Sequence, residues 1–203
     1  MSKKILVISP HPDDGEIGCG ASICRFVREG AEVAHLLLSL SECLVSEGFT
    51  IEDRYVEFLQ ANKILGSKGF RMKDYRPIHR HFSEFRQGLL DGMAGLGKFD
   101  MVIIPSPNDL HQDHQVTAQE ALRAFKHSTV LAYEEPHAKM NINYFIEVQE
   151  EDLNQKGLAL DEYKSIPPKP YLYIENLKSL ARYRGMQVGV RYAEGFELIK
   201  AIV

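Results

Sequence analysis

The sequence has no tryptophan and only three cysteines, none in a Cys-x-x-Cys pair. An odd, scattered set of thiols does not build a secreted disulfide framework, and it points to a reducing cytoplasm. No run of about 18 apolar residues is present, so no membrane-spanning helix is expected. The opening Met1-Ser2-Lys3-Lys4 is followed by five apolar or small residues before Pro10, too few for a signal peptide's apolar region. Neither sign of charge dominates. With 24 Lys and Arg against 28 Asp and Glu, the formal charge is −4, and the basic surface that nucleic acid requires is missing. Repeats and low-complexity tracts are also missing. What is there is a chain of 203 residues, 44% hydrophobic and 26% charged, which suits one domain over 1–203 with a sizeable core.

The hydrophobic pattern alternates between two kinds of segment. Lys4 to Ser9 (KILVIS), Ala31 to Ser39 and Asp100 to Pro105 are short, continuous apolar runs that read as buried strands, and Thr129 to Tyr133 reads as another. Between them, helical spacing covers Gly18 to Glu29, Ile51 to Leu65, Ser83 to Leu96 and Gln115 to Lys126. In the Ile51 helix, Tyr55, Phe58 and Leu59 are expected to face inward. From Tyr144 onward the sequence holds a strand, two helices and a last apolar segment, with Pro167-Pro168-Lys169-Pro170 as a loop within the domain. Strands alternating with helices predict an open α/β fold, a mostly parallel sheet flanked by helices. Ligands of such sheets collect beyond the carboxyl ends of the strands.

Two segments rich in ligand-type side chains fall at those ends. His11-Pro12-Asp13-Asp14 follows the first strand, and His111-Gln112-Asp113-His114 comes shortly after the Asp100 strand. Either one alone fits an Asx-type turn or a helix cap. Both together, each aimed by a buried strand, point to a metal site, because a catalytic zinc takes three His or carboxylate ligands and keeps a position open for water. The glycines that follow, Gly15, Gly18 and Gly20, have the spacing G-x-x-G-x-G. The dinucleotide fingerprint G-x-G-x-x-G is different, so these glycines are read as sites of close backbone packing.

The strand followed by His11-Pro12-Asp13-Asp14 and Glu16-Ile17-Gly18-Cys19-Gly20, together with His111-Gln112-Asp113-His114, resembles the paired signatures of the LmbE-like, or PIG-L, family of zinc-dependent N-deacetylases. Softer matches run through Pro105 to Asp109, Arg54-x-x-Glu57 and Tyr192 to Phe196. The resemblance implies one divalent ion, zinc or alternatively iron, held by His11, Asp14 and His114. It implies Asp13 as general base and His111 as the group that polarises or protonates. Asp113 would orient an imidazole, and Arg54 would hold a sugar hydroxyl or phosphate oxygen. The implied activity is removal of an N-acetyl group from an N-acetylglucosamine-type sugar or conjugate. A metal-dependent amidase on a thiol-sugar or antibiotic conjugate stays open, as does a non-catalytic sugar-binding relative. The number of subunits is also open, a homo-oligomer included. Two departures stand out. Many members carry Glu where this chain has Gly15, with the acid displaced to Glu16. Asp109 and Leu110 occupy the region of a family tyrosine, and Tyr133 and Tyr144 are the alternatives.

Other residues invite simpler readings. His79 and His81 lie in a basic stretch from Arg71 to Arg86, read as a solvated loop in preference to a second metal site or a phosphate grip, with steering of an anionic substrate by Arg76, Arg80 and Arg86 left open. Cys19 is read as a small buried residue and His35 as a satisfied core histidine. Glu134-Glu135-Pro136-His137 fits either the pocket mouth or an ordinary acidic turn.

Overall fold

Lys4–Ser9 forms β1, and its Ile5, Leu6, Val7 and Ile8 are all fully buried. A strand apolar at consecutive positions must be covered on both faces, and helices do this here. The computed structural model describes residues 2–40, 45–72, 82–136, 138–167 and 169–202, with residues 82–85 as backbone alone. After β1 come α1 (Asp14–Arg28), β2 (Glu32–Leu37), α2 (Ile51–Leu65), β3 (Lys68–Arg71), α3 (Phe82–Ala94) and β4 (Met101–Ile104). The second half holds α4 (Gln112–Ala124), β5 (Thr129–Tyr133), β6 (Tyr144–Glu147), α5 (Glu150–Leu160), a 3-10 turn at Pro170–Leu172, α6 (Ile174–Val188) and β7 (Ala193–Lys200).

All seven strands share one sheet in the order β3-β2-β1-β4-β5-β7-β6. The first five are parallel, with Lys4 opposite Glu32 and Ile5 opposite Met101. β7 runs antiparallel to both β5 and β6. The strands therefore alternate with helices to build the mostly parallel α/β sheet that the pattern predicts. Ile5 and Val7 pack on one side with Phe58 of α2, Leu153 of α5 and Leu177 of α6. Leu6 and Ile8 pack on the other with Leu89 of α3 and Ala118 and Ala121 of α4. From β1 the chain moves outward to β2 and β3, then returns to add β4 on the opposite side. The strand order thus reverses between β1 and β4, which opens a crevice at their carboxyl ends.

Several boundaries differ from the sequence reading. α1 begins at Asp14, ahead of Gly18, so the polar segment itself opens the helix. It is broken at Cys19 (φ −148°, ψ 20°), which strips helical partners from neighbouring backbone groups. Glu194 accepts from the N–H groups of Ala21 and Ser22 at 3.3 and 2.7 Å, and Lys156 Nζ donates to the Ile17 carbonyl at 2.5 Å. The two side chains also pair with each other at 2.6 Å, so one buried ion pair caps both sides of the break. α4 begins at Gln112 instead of Gln115, because His111 Nδ1 accepts the Asp113 N–H as its cap. α2 runs over the expected residues behind a Thr50–Asp53 capping box, but Leu59 is exposed. The inward stripe instead buries the polar Arg54, Glu57 and Asn62 beside Phe58, since this face meets a polar site as well as the core. The short edge strand β3 (KGFR) has no apolar pattern to announce it. Among the described residues, no helix is long and apolar enough to cross a membrane.

Candidate metal centre

Donor atoms from the two polar segments meet in the crevice between β1 and β4. Asp14 Oδ2 accepts the His11 N–H at 2.8 Å and closes a tight turn at the end of β1. The same oxygen lies 3.4 Å from His11 Nδ1 and 3.4 Å from His114 Nε2. The His11 and His114 ring centres are 5.5 Å apart, and His111 stands 4.9 Å from each.

A carboxylate holds each buried imidazole from behind. His11 Nε2 bonds Asp113 Oδ2 at 2.9 Å. His114 Nδ1 bonds Asp109 Oδ2 at 3.1 Å and lies 3.4 Å from Glu135 Oε1. An acid on one ring nitrogen takes its N–H and leaves the lone pair of the other facing forward. His11 Nδ1 and His114 Nε2 are thereby turned toward Asp14. Buried His114 Nε2 has no hydrogen-bond partner among the described residues, and such a group is costly unless something satisfies it. Asp14, His114 and Glu135, and likewise His11, His111 and His114, offer ligand atoms within 4.8 Å of one another. Either mix of imidazole and carboxylate donors suits zinc or iron.

The local field agrees. Burial works against a charged His114, yet the carboxylates of Asp14, Glu135 and Asp109 push it up to about 11. Burial also opposes a charged His11, and hydrogen bonds to Asp113 and Asp14 still raise it to about 9. Asp14 is buried too, and the two imidazoles hold it well below the usual carboxylate range. A field that grips protons this firmly also favours a divalent cation in their place.

Asp13 behaves differently from its neighbour. Its φ is 85°, making it the one non-glycine at positive φ among the described residues. Backbone strain of this kind persists only where the surroundings enforce it. Burial, and then the charge of Asp14, raise its pKa well above the ordinary value, while Lys169 and His11 oppose. His111 is half-exposed, and burial followed by the His11 and His114 charges lowers its pKa. Because its Nδ1 accepts the Asp113 N–H, the neutral ring carries its proton on Nε2. These groups form the floor of a cavity of about 450 Å³, walled by Arg54, Leu110, Ile166, Lys169 and Tyr171. Arg54 is 2% exposed and donates from Nη1 to the Leu40 carbonyl at 2.8 Å.

Residues 6–125 match the profile of the PIG-L family, described as GlcNAc-PI de-N-acetylase. The chain belongs to the PIG-L family. It is 32% identical to the uncharacterized deacetylase YaiS of Escherichia coli K12, over 80% of this chain and 91% of that protein. It is 25% identical to the diacetylchitobiose deacetylase of Thermococcus kodakarensis, covering 98% of this chain and 84% of the relative. The solved N,N'-diacetylchitobiose deacetylase of Pyrococcus horikoshii superposes with a TM-score of 0.80 at 24% identity, over 98% of this chain and 84% of that one. At that identity the likeness is one of fold.

Within this PIG-L site the structure adds residues that sequence reasoning left aside. Glu135 reaches the cavity from the end of β5, as one reading of its segment held, while Glu134 pairs with Arg184. Asp109 stands behind His114; an acid just ahead of the second motif was its only signal. Lys169 and Tyr171 had none, since their segment reads as a proline-rich loop. Neither tyrosine alternative lines the cavity. Tyr133 is buried and donates to the Ile8 carbonyl at 3.2 Å, and Tyr144 lies on β6; Tyr171 is the tyrosine on the wall. Cys19 is buried, and His35 is satisfied by Ser9 and Asn62. Arg86 ties α3 to Glu120 of α4 at 2.6 Å, so it is a structural partner and not a steering charge. His79, His81, Arg76, Arg80 and His137 lie outside the described residues.

Proposed function

We propose that this protein is a metal-dependent N-deacetylase that hydrolyses the acetamide of an N-acetyl amino sugar or sugar conjugate. The observation that carries this reading is that Asp14 Oδ2 lies 3.4 Å from both His11 Nδ1 and His114 Nε2, beside a strained Asp13. The deacetylase relatives support the reaction class, and the relative named for diacetylchitobiose supports the amino-sugar class. His11, Asp14 and His114 would hold the ion, zinc being the first choice and iron the second. When bound, such an ion supplies Lewis-acid polarisation and a water of lowered pKa.

The rest of the chemistry belongs to the chain. Asp13 accepts a proton from the attacking water as its oxygen adds to the acetyl carbon. A carboxylate so placed takes the proton and later releases it. His111, neutral with its proton on Nε2, donates a hydrogen bond to the developing oxyanion, and the proton that Asp13 took from the water passes to the departing nitrogen. The C–N bond then breaks, giving acetate and the free amine. Asp113 keeps the His11 ring in register, and Arg54 at the cavity wall binds a sugar oxygen. An amidase acting on a thiol-sugar or antibiotic conjugate would use the same floor with other contacts at the wall. Chain and substrate meet in solution, consistent with a cytoplasmic protein.

The test is acetate release from N-acetylglucosamine, diacetylchitobiose and their conjugates, before and after chelation and with zinc or iron restored. Chelator-sensitive release of one acetate per amine supports the reading. A metal-loaded protein that releases no acetate from any of them overturns it.

A further inference from the structure

The cavity floor mixes carboxylates with imidazoles, and the wall formed by the segment between α5 and α6 presents a further cation, Lys169, between Ile166 and Tyr171. In a chain of net charge −4 this is a local feature and not spill-over from a basic surface. Lys169 is half-buried, with its ammonium 5.4 Å from the centre of the Tyr171 ring. Among the described residues it forms no ion pair. The Tyr171 side chain is its strongest favourable partner, followed by the carboxylates of Asp13 and, more weakly, Asp14 on the floor of the same cavity.

The wall is also built to stay in place. Glu57 of α2 accepts the N–H groups of Lys164 and Ser165 at 3.1 and 2.9 Å and the Ser165 hydroxyl at 2.5 Å. Ser46 N–H donates to the Ser165 carbonyl at 2.9 Å, and Asn176 holds the Pro170 carbonyl at 2.6 Å. Lys169 is thus anchored on both sides, and its backbone needs little ordering when a ligand arrives. A second cation, Arg54, lines the same cavity, and Asp13 acts on it as on Lys169.

We infer that Lys169 is a specificity-determining residue that reads an anionic substituent, a phosphate or carboxylate, on the amino sugar. The inference rests on the deacetylase reading of the floor and adds the substrate's charge. A ligand whose acetamide sits over Asp13 can set an anionic substituent against Lys169 on the wall of the same cavity. A neutral sugar leaves the ammonium with ordinary hydrogen bonds alone. A charge-assisted hydrogen bond in place of a neutral one is worth about tenfold in affinity.

The experiment compares N-acetylglucosamine with its 6-phosphate, its 1-phosphate and its 3-O-lactyl derivative, using metal-loaded protein. At least one anionic sugar should exceed the neutral one about tenfold in kcat/KM, and which one does separates phosphate from carboxylate. In Lys169→Met that ratio should collapse through KM, and Lys169→Arg should restore most of it. Calorimetry with glucosamine and the matching anionic amines repeats the comparison without turnover, so it reads Lys169 even if the deacetylase reading fails. A wild-type ratio near one in both measurements overturns the inference. So does a Lys169→Met variant that lowers kcat on every sugar alike, since the ammonium would then serve Asp13 and not the substrate.

Discussion

Gly15 and His35 approach so closely that a Cβ on Gly15 would overlap the His35 Nε2 and stand 2.5 Å from Ser9 Oγ. No side chain fits at 15, and Glu16 instead turns into the core, where Tyr163 and Asn62 donate to it at 2.7 and 3.3 Å. Gly15 N–H donates to Ser9 Oγ, which also bonds His35, so the turn carrying Asp13 and Asp14 rests on this packing. Gly15→Ala should cost about 1–3 kcal/mol through overpacking. Urea unfolding checks it, and a midpoint equal to wild type would show that the contact yields easily.

The neighbouring carboxylates should separate by role. Asp14→Ala and His114→Ala should lose the metal, each removing a donor at the shared point. Asp13→Asn should keep the metal and lose about 10²–10⁴ in kcat, the worth of a positioned acid–base group. Metal analysis after dialysis, paired with acetate assays, reads both. Equal metal loss in all three variants would assign Asp13 to the ligand set.

Asp113 touches His11 and not the cavity, so its part is orientation. Asp113→Asn should weaken metal binding about 10–100-fold while the fold persists. Competition with a chromogenic chelator measures the affinity. Full affinity in the variant would show that the Asp113 bond does not set the His11 ring.

His35 should contribute a loss of stability on mild acidification. Burial lowers its pKa from 6.5 to about 4, against the Asn62 bond and the Asp14 charge, with Glu16 the nearby carboxylate at 3.9 Å. Between those values the unfolded chain binds a proton that the folded chain refuses. The His35 contribution is therefore intact above about 6.5 and lost as the pH falls toward 4, by about 2 kcal/mol at pH 5. Glu16, raised by burial to about 7, runs the opposite way, so the comparison must isolate His35. His35→Gln should lose less stability than wild type between pH 7.5 and 5.0 in urea titrations. Equal losses would place the pH dependence elsewhere.

The Lys156–Glu194 pair should show strong coupling. Each caps one side of the α1 break while neutralising the other. Lys156→Met should cost about 3–5 kcal/mol by leaving a buried carboxylate unpaired. Adding Glu194→Gln should recover part of that loss, and a double-mutant cycle measures the coupling. Strictly additive losses would mean that the two act independently.

Much of the fold was legible in the sequence because its signals are local. The run KILVIS, the Ile51 to Leu65 helix with its Thr50 cap, and Thr129 to Tyr133 encode their own state through periodicity and capping. The two motifs are also local, since each crowds His and Asp just after a buried strand, where ligands of such a sheet collect. Other features depend on partners far along the chain. The break at Cys19 exists because Lys156 and Glu194 arrive to satisfy it. The burial of Arg54 and Glu57, where Leu59 was expected, follows from the loop that Glu57 holds. Tertiary structure alone set β4 beside β1, which brought His114 within 3.4 Å of Asp14. It alone carried Glu135, Lys169 and Tyr171 to the same cavity. Hydrophobic period records which face of an element is buried, but not which distant element covers it, and a site assembled at a crevice between strands is made of such distant pairings.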